Sequence, residues 1–585
     1  MKEKEIYELW RKNAVEDADL IEDLEKIEND ENEIYDRFYK DLSFGTAGLR
    51  GIIGAGSNRM NIYTVRKATK GLADYLNLNC KIPSVAISFD SRIKSDLFAK
   101  EAAKVLAANG IKVYIVKELC PVPFLSFAVR SLSTSAGIMI TASHNPSNYN
   151  GYKCYGSDGC QMTEKSANKV YELIEKVDMF NVKTADFNEA VSEDKIVFIE
   201  DNLKKKYLDA VEAQSINKNI CKNSGLRVVY TPLNGAGNKF VREIFSRIGV
   251  DDVHMVKEQE NPDGNFPTCK YPNPEAREAL SLAVKLAEKV DADLVVATDP
   301  DSDRLGIAVK NENEYAFLSG NEVGIMLFEY ILSQRKLNGT LPKRPFAVKT
   351  IVSTDLTDKI AERYDCELKE VLTGFKYIGE QILELEKKGQ EDRFVFGYEE
   401  SYGYLSGTYV RDKDGVVASM LICELAAYLK KQNKTLVDFV NGLYEEYGFY
   451  ENTVLNFGFK GAQGSAKMTK IMYKLREKPF NEIAGYKVVK IADYSVLKKL
   501  DIATGRETNI DLPKSNVLSF YLENNNKLMI RPSGTEPKIK AYITAVGKSF
   551  SESKKITKEI TNFISKIIND WPYKSEFMDK TNLEK

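Results

Sequence analysis

The stretch Gly137-Ile-Met-Ile-Thr-Ala-Ser-His-Asn-Pro146, continued as Ser147-Asn-Tyr-Asn-Gly-Tyr-Lys153, decides the reading of the chain. Its apolar start, residues 137–140, reads as a buried strand. The polar remainder reads as a loop leaving the end of that strand, where open α/β sheets place their sites. In that loop Ser143 is a candidate nucleophile, with His144 beside it and Lys153 further on as candidate proton carriers. Taken alone, Ser143 also suits an ordinary turn, since Ser-His-Asn-Pro is good turn chemistry.

Outward from this loop the chain alternates strand and helix. Residues 85–89 and 112–116 read as strands around a helix over 95–108 that Asn109-Gly110 closes. The same grammar restarts with a strand at 226–230, a helix from about 238 to 248 and a strand at 293–297. It starts a third time with strands at 346–352 and 393–396 and a helix from about 416. Repeated strand–helix units predict mixed or parallel sheets covered by helices, hence three related α/β domains. The last hundred or so residues differ. Residues 517–522 and 527–530 straddle Asn524-Asn-Asn526 as a β-hairpin, and a charged amphipathic helix covers about 551–568. They predict a smaller C-terminal α+β domain. Residues 1–40 carry Ile6, Leu9, Trp10, Leu20 and Leu24 at helical spacing and predict one or two amphipathic helices packed on the first domain. The expected division is a helical extension over 1–40 and domains over 41–215, 216–325, 326–450 and 451–585.

Composition narrows the function. A chain of 585 residues is too long for one core, and 43% hydrophobic with 29% charged residues is the balance of a soluble globular protein. A net charge of −2 argues against nucleic acid as a partner, because phosphate-backbone affinity needs a basic surface. The N-terminus Met1-Lys-Glu-Lys-Glu5 lacks the apolar core of a signal peptide. The longest apolar run, residues 416–429, is too short to span a bilayer, so no membrane partner is expected. Eight scattered cysteines without a CxxC pair, and only two histidines, speak against zinc and for a reduced cytoplasmic setting.

Three further segments carry chemistry. Thr298-Asp-Pro-Asp-Ser-Asp-Arg304 follows an apolar strand and places Asp299, Asp301 and Asp303 at alternate positions. On an extended backbone they share one face, and such crowded carboxylates suit Mg²⁺ or Ca²⁺ better than a solvated acidic turn. An EF-hand is excluded, since its obligatory Gly and Glu positions hold Arg304 and Lys310. Gly397-Tyr-Glu-Glu-Ser-Tyr-Gly403 offers Glu399 and Ser401 to sugar hydroxyls, or merely caps a helix. Arg531-Pro-Ser-Gly-Thr-Glu-Pro-Lys538 reads as an anion nest or a tight turn. No P-loop is present, because Tyr542 stands where its first glycine belongs before Gly547-Lys-Ser549, and no GxGxxG follows a strand.

Together these segments resemble the α-D-phosphohexomutase superfamily, in particular its long phosphoglucomutases and phosphomannomutases. The likeness runs from about Phe44 to Ala545, and the Phe44-Gly-Thr-Ala-Gly-Leu-Arg50 opening is similar to the subgroup that also holds phosphopentomutases. The resemblance implies that Ser143 is the phosphorylated residue. It implies that Ser143, Asp299, Asp301 and Asp303 hold Mg²⁺, and that Arg50, His144 and Lys153 surround the transferred phosphoryl group. Thr373, Gly374 and Lys376 are implied to contact substrate, with Arg304, Arg411 and Lys413. Glu399 and Ser401 are implied to hold the sugar hydroxyls. Arg531, Ser533, Gly534 and Thr535 are implied to hold the non-reacting phosphate. The implied reaction interconverts glucose 1-phosphate and glucose 6-phosphate through glucose 1,6-bisphosphate, which serves as intermediate and activator. The implied partners are sugar phosphates only, for a monomer or homodimer. Phosphomannomutase or phosphopentomutase activity is the nearest alternative, a metal-dependent sugar phosphatase a further one, and a non-enzymatic sugar-phosphate binder a third. Pro300 and Ser302 stand where many relatives have glycines, and Phe375-Lys376 where some have a histidine.

Overall fold

The computed structural model describes residues 2–44, 48–459, 461–532 and 538–569. Two compact units emerge. The first holds residues 1–349, 364–369 and 374–440, and the second holds 350–363, 370–373 and 441–585.

The first unit begins with three helices, α1 (Lys2–Asn13), α2 (Ala18–Lys26) and α3 (Glu31–Phe38), where sequence periodicity suggests one or two. Asp17 and Asp30 make the difference. Each accepts a hydrogen bond from a backbone amide of the helix that follows, and so starts a new helix inside a continuous apolar pattern. The three helices share the core of the first α/β layer. The Trp10 ring meets Phe38, Tyr63 and Phe180 edge-on at 5.9, 5.8 and 5.4 Å. Asp23 joins Arg37 (2.6 Å) to the amide of Ala55 (2.8 Å), so the extension grips the turn just beyond Arg50.

The first sheet contains β1 (Gly48–Ile52), β2 (Ser84–Phe89), β3 (Lys112–Ile115), β4 (Ala136–Ile140), β5 (Tyr149–Gly156) and β6 (Ile196–Phe198), in the order β1-β5-β4-β2-β3-β6. The second contains β7 (Arg227–Thr231), β8 (Asp252–Met255), β9 (Leu294–Thr298), β10 (Leu305–Asn311) and β11 (Glu314–Leu318), in the order β11-β10-β9-β7-β8. The third contains β12 (Phe346–Thr350), β13 (Glu367–Val371), β14 (Phe394–Glu399) and β15 (Gly403–Leu405), in the order β13-β12-β14-β15. Each sheet is mixed. The strands joined through helices pair in parallel, as in β2 with β4, β7 with β9 and β12 with β14. Then β4, β9 and β14 each run through a short loop into an antiparallel neighbour. A short connection cannot carry a parallel crossover, so these returns must be antiparallel. The three returning loops are those that carry Ser143, the aspartates and Ser401.

The almost wholly buried helix Gly415–Lys430 packs against helix Gly237–Ile248 and against β9, β10 and β15. Asp414 caps it, accepting from the amides of Val416 and Val417 and from the hydroxyls of Tyr207 (2.9 Å) and Tyr409 (2.6 Å). Burial pushes the Asp414 carboxyl up to about 6, against the opposing pull of those hydrogen bonds. Between the ordinary value of 3.8 and 6 the folded chain keeps a proton that the unfolded chain has released. Stability therefore falls as pH rises through that window, by about 3 kcal/mol in all. Asp414→Asn is expected to flatten this part of the pH–stability curve. Urea midpoints of both proteins between pH 4 and pH 7 check it, and parallel curves would contradict it.

The second unit carries an antiparallel sheet. In it Lys538–Gly547 lies between Phe449–Gly458 and Lys527–Pro532, followed by Leu518–Leu522, Tyr486–Asp493, Lys498–Asp501 and Glu507–Asn509. The hairpin expected around Asn524 is Leu518–Leu522 with Lys527–Pro532. Helix Phe550–Asn569 covers the sheet with Ile556, Ile560, Ile564 and Ile567, a one-face stripe. Among the described residues, no helix is long and apolar enough to cross a membrane.

Candidate active site

Ser143 lies three residues past the end of β4, with φ +52°, in the left-handed region. Its amide donates to Thr141 Oγ1 (2.8 Å), and the tight turn aims Ser143 Oγ at Asp299 Oδ2, to which it donates at 2.9 Å. His144 Nδ1 lies 3.1 Å from the same hydroxyl. Gly151 is what lets β5 pass so close. A Cβ there would lie 2.5 Å from the carbonyl oxygen of Thr141 and 2.8 Å from that of Leu49. Alternation along β5 then sorts the side chains. Tyr152 and Cys154 enter the core, while Lys153 and Tyr155 take the opposite face.

The aspartate segment does not continue the strand as expected. It turns: the Ser302 amide donates to the carbonyl of Asp299 (2.8 Å), and Ser302 has φ +53°. On a strand, alternate residues stand ~7 Å apart. The turn instead brings one oxygen of each of Asp299, Asp301 and Asp303 within 4.8 Å of the others, all buried. Asp299 Oδ1 accepts from the amides of Asp303 and Arg304, both at 3.1 Å. Asp301 Oδ2 accepts from Lys153 Nζ (2.8 Å) and Thr141 Oγ1 (3.1 Å). Asp303 Oδ2 faces Lys413 Nζ at 3.1 Å. That leaves Asp301 Oδ1 and Asp303 Oδ1 enclosed without a hydrogen-bond partner.

The electrostatics follow from this crowding. Burial, then the charges of Asp301 and Asp303, push the Asp299 carboxyl well above its usual range. Burial acts most strongly on Asp301 too, but Lys153, the hydrogen bond with Asp299 and the charge of Lys413 together outweigh it and hold that carboxyl below the ordinary range. Burial lowers Lys153, yet the facing Asp301 and Asp303 carry it upward overall, so it stays protonated. Burial and the nearby Arg304 and Arg50 push His144 well down, so it is neutral at pH 7. Three buried, converging carboxylates with two unpartnered oxygens form a hard-oxygen donor set, which fits a divalent cation such as Mg²⁺.

The remaining expected residues fall into three groups. Arg50, on β1 opposite Gly151, reaches Asn145 Oδ1 at 3.2 Å. Arg304 extends the acidic loop and pairs with Glu275 at 2.6 Å, and Lys413 closes on Asp303 and Asp412. Buried Glu399, at the end of β14, accepts from the amide of Gly374 at 2.7 Å. Burial raises its carboxyl, with Lys413 and Arg304 pulling the other way. Ser401 follows in the half-buried turn into β15. Lys376 Nζ is 3.5 Å from Glu164 and sits over the Tyr377 ring. Arg411 is placed differently from the expectation of a substrate contact. Its side chain is fully buried and pairs with Glu386 at 2.8 Å, and its amide donates to Ser126 Oγ at 2.9 Å. Thr373 belongs to the second unit, with Oγ1 enclosed and without a hydrogen-bond partner. Arg531, also in the second unit, is half-buried near the end of Lys527–Pro532. Ser533, Gly534 and Thr535 lie outside the described residues.

Thr141 and the pair Tyr155–Asp412 (2.7 Å) enter the site without any sequence signal of their own. Alternation on β5 would have pointed to Tyr155, because it shares the face of Lys153.

A serine hydroxyl set against a buried hard-cation site, with one cationic and one neutral base beside it, is equipment for phosphoryl transfer in an α/β enzyme. Comparison with known proteins sharpens this. Residues 41–180, 205–313 and 319–447 match the description "Phosphoglucomutase/phosphomannomutase, alpha/beta/alpha domain" I, II and III in turn. A phosphoglucomutase of Staphylococcus saprophyticus is 37% identical over 563 residues, 96% of this chain and 100% of that protein. A phosphoglucomutase of Staphylococcus aureus strain USA300 is 38% identical over 517 residues, 88% of this chain and 91% of that protein. The crystal structure of a putative phosphomannomutase from Thermus thermophilus shares the fold at TM-score 0.67 and 22% identity, covering 91% of this chain and 99% of that one. The open form of parafusin, a Paramecium phosphoglucomutase, shares it at TM-score 0.65 and 17% identity, covering 91% and 96%. The chain belongs to the phosphoglucomutase/phosphomannomutase family of the α-D-phosphohexomutase superfamily.

Proposed function

We propose that this chain interconverts glucose 1-phosphate and glucose 6-phosphate, with Ser143 as the phosphoryl carrier and glucose 1,6-bisphosphate as the intermediate. The observation that carries the reading is Ser143 Oγ 2.9 Å from Asp299, at the mouth of the buried carboxylate cluster. The phosphoglucomutase names of relatives 37–38% identical over most of the chain support the choice of reaction.

In the first half-reaction the Oγ–P bond of phospho-Ser143 breaks and a bond forms from the free sugar hydroxyl to that phosphorus, giving the bisphosphate and the serine. In the second, the other phosphate returns to Ser143 and its sugar oxygen leaves as a hydroxyl. Asp299, Asp301 and Asp303 would hold Mg²⁺, which when bound neutralises phosphoryl charge. His144, neutral, is suited to take the proton of the attacking hydroxyl, and Lys153, held protonated, to donate one to the departing oxygen. Arg50 steadies the loop at Asn145. Glu399 and Ser401 would read the sugar hydroxyls with Gly374 and Lys376. Arg531 and Ser533–Thr535 would take the non-reacting phosphate. In the proposed division of the chain into an extension over 1–40 and domains over 41–215, 216–325, 326–450 and 451–585, read from its strand–helix pattern, each of the four domains carries one of these loops.

The test is a panel of kcat/KM values for the 1-phosphates of glucose, mannose, ribose and deoxyribose, with released phosphate measured in parallel. Glucose 1-phosphate is expected to lead by about tenfold or more, the scale of a well-placed hydroxyl contact. A lead by mannose or a pentose would contradict the substrate. Phosphate release outpacing isomerisation would contradict the mutase reaction.

A further inference from the structure

We infer that Arg92 is a positioning residue that moulds the backbone of residues 143–149 and thereby aims Ser143 Oγ at Asp299. The inference rests on the reading of Ser143 as phosphoryl carrier.

Arg92 lies three residues beyond the end of β2, next to β4 in the sheet, and its side chain is wholly buried. Nε and Nη2 both donate to the carbonyl of Ser143, at 3.2 and 2.5 Å, and Nη2 also donates to that of Asn145. Nη1 donates to the carbonyls of Pro146 (2.8 Å) and Tyr149 (3.0 Å). A guanidinium has five N–H donors in a rigid fork. All five are spent on four carbonyls of this one loop, so none is left for substrate. The loop needs such a clamp. Ser143 sits in a left-handed conformation that costs a non-glycine residue ~1–3 kcal/mol and persists only where its surroundings over-determine it.

Arg92 is itself fixed from two sides. Asp90 Oδ2 lies 3.5 Å from Nε as the buried counter-charge, and Asp90 Oδ1 accepts from the Arg92 amide and Ser95 Oγ. On the other side the Phe266 ring stacks 5.0 Å from the guanidinium carbon. Gly264 permits that approach, since a Cβ there would lie 2.5 Å from the amide nitrogen of Ile93 and 2.8 Å from the carbonyl of Ser91. The loop that carries Phe266 comes from the layer that also supplies the aspartates. Arg92 thus ties the serine loop, held by its backbone carbonyls, to the metal-side layer, held by the Phe266 ring. Lysine, with three donors radiating from one point, cannot reproduce the fork.

The experiment compares Arg92→Lys, Arg92→Gln and Phe266→Leu with the unmodified chain, measuring kcat, KM for glucose 1-phosphate, Tm and phosphate on the Ser143 peptide. Both Arg92 variants are expected to lose ~10²-fold in kcat per folded molecule, the cost of an ~1 Å misplacement of a reacting group. KM should stay within about threefold, because substrate contacts are untouched. A merely structural role would lower Tm and folded yield and leave kcat per folded molecule unchanged, which would overturn the inference. If neither Arg92 variant folds, Phe266→Leu decides. A fall in kcat of about fivefold or more at constant KM supports the inference, since a loosened clamp is a smaller misplacement, and an unchanged kcat overturns it. Sustained isomerisation by the unmodified chain with no phosphate on the Ser143 peptide after incubation with glucose 1,6-bisphosphate would instead overturn the carrier reading, and this inference with it.

Discussion

Ser143→Ala is expected to lower kcat for glucose 1-phosphate isomerisation by at least ~10⁴-fold, the scale seen when a nucleophile is removed from a preorganised site. The size follows from the geometry. Thr141 Oγ1, in the same turn, is committed to the Ser143 amide and to Asp301, so it cannot take over the role. Alanine tolerates the left-handed backbone about as well as serine, so stability should change by no more than ~1 kcal/mol. Added glucose 1,6-bisphosphate should not rescue the variant, because the bisphosphate has no hydroxyl to load. A coupled assay for glucose 6-phosphate reads the result, and normal turnover in the variant would sink the carrier role.

The second large effect is expected at Asp301. Asp301→Asn keeps the shape and removes the charge that faces Lys153 at 2.8 Å. The cluster would then offer a weaker site for a divalent cation and hold Lys153 protonated less firmly. Loss of several kcal/mol of charge stabilisation corresponds to a fall in kcat of ~10²–10⁴-fold. A binding measurement separates the causes. In the unmodified chain, Mg²⁺ at a hundredfold excess over its Kd should stabilise the fold by about 2.7 kcal/mol. In Asp301→Asn that gain should largely vanish at the same concentration. Chelation of the unmodified chain should remove both the activity and the stabilisation. Wild-type affinity and turnover in Asp301→Asn would contradict the assignment.

The positions of the site loops were legible because each follows a short apolar run, and a buried strand end is where a polar cluster acquires meaning. Ser143, Asp299 and Glu399 each stand at or just beyond the end of such a run. What the runs could not show is how the backbone turns after them. The aspartates converge through a left-handed Ser302 and not along an extended face. The strands after the loops return antiparallel, which follows from loop length once the strands are known. Asp17 and Asp30 split the N-terminal segment into three helices, and the apolar period runs straight through both. Arg411 is a substrate contact only as the family resemblance implies it; its buried side chain pairs with Glu386, and its amide donates to Ser126 Oγ. Arg92 gave no local signal, since its importance exists only once β2 and β4 are neighbours and its guanidinium meets a loop fifty residues later.

Incubation with glucose 1,6-bisphosphate, followed by intact-mass measurement and peptide mapping, tests the central claim most directly. A gain of about 80 Da, one phosphoryl group, is predicted on the peptide that carries Ser143, and its absence is predicted in Ser143→Ala. Sustained isomerisation with no phosphate on that peptide, or with phosphate on a different residue, would contradict the account.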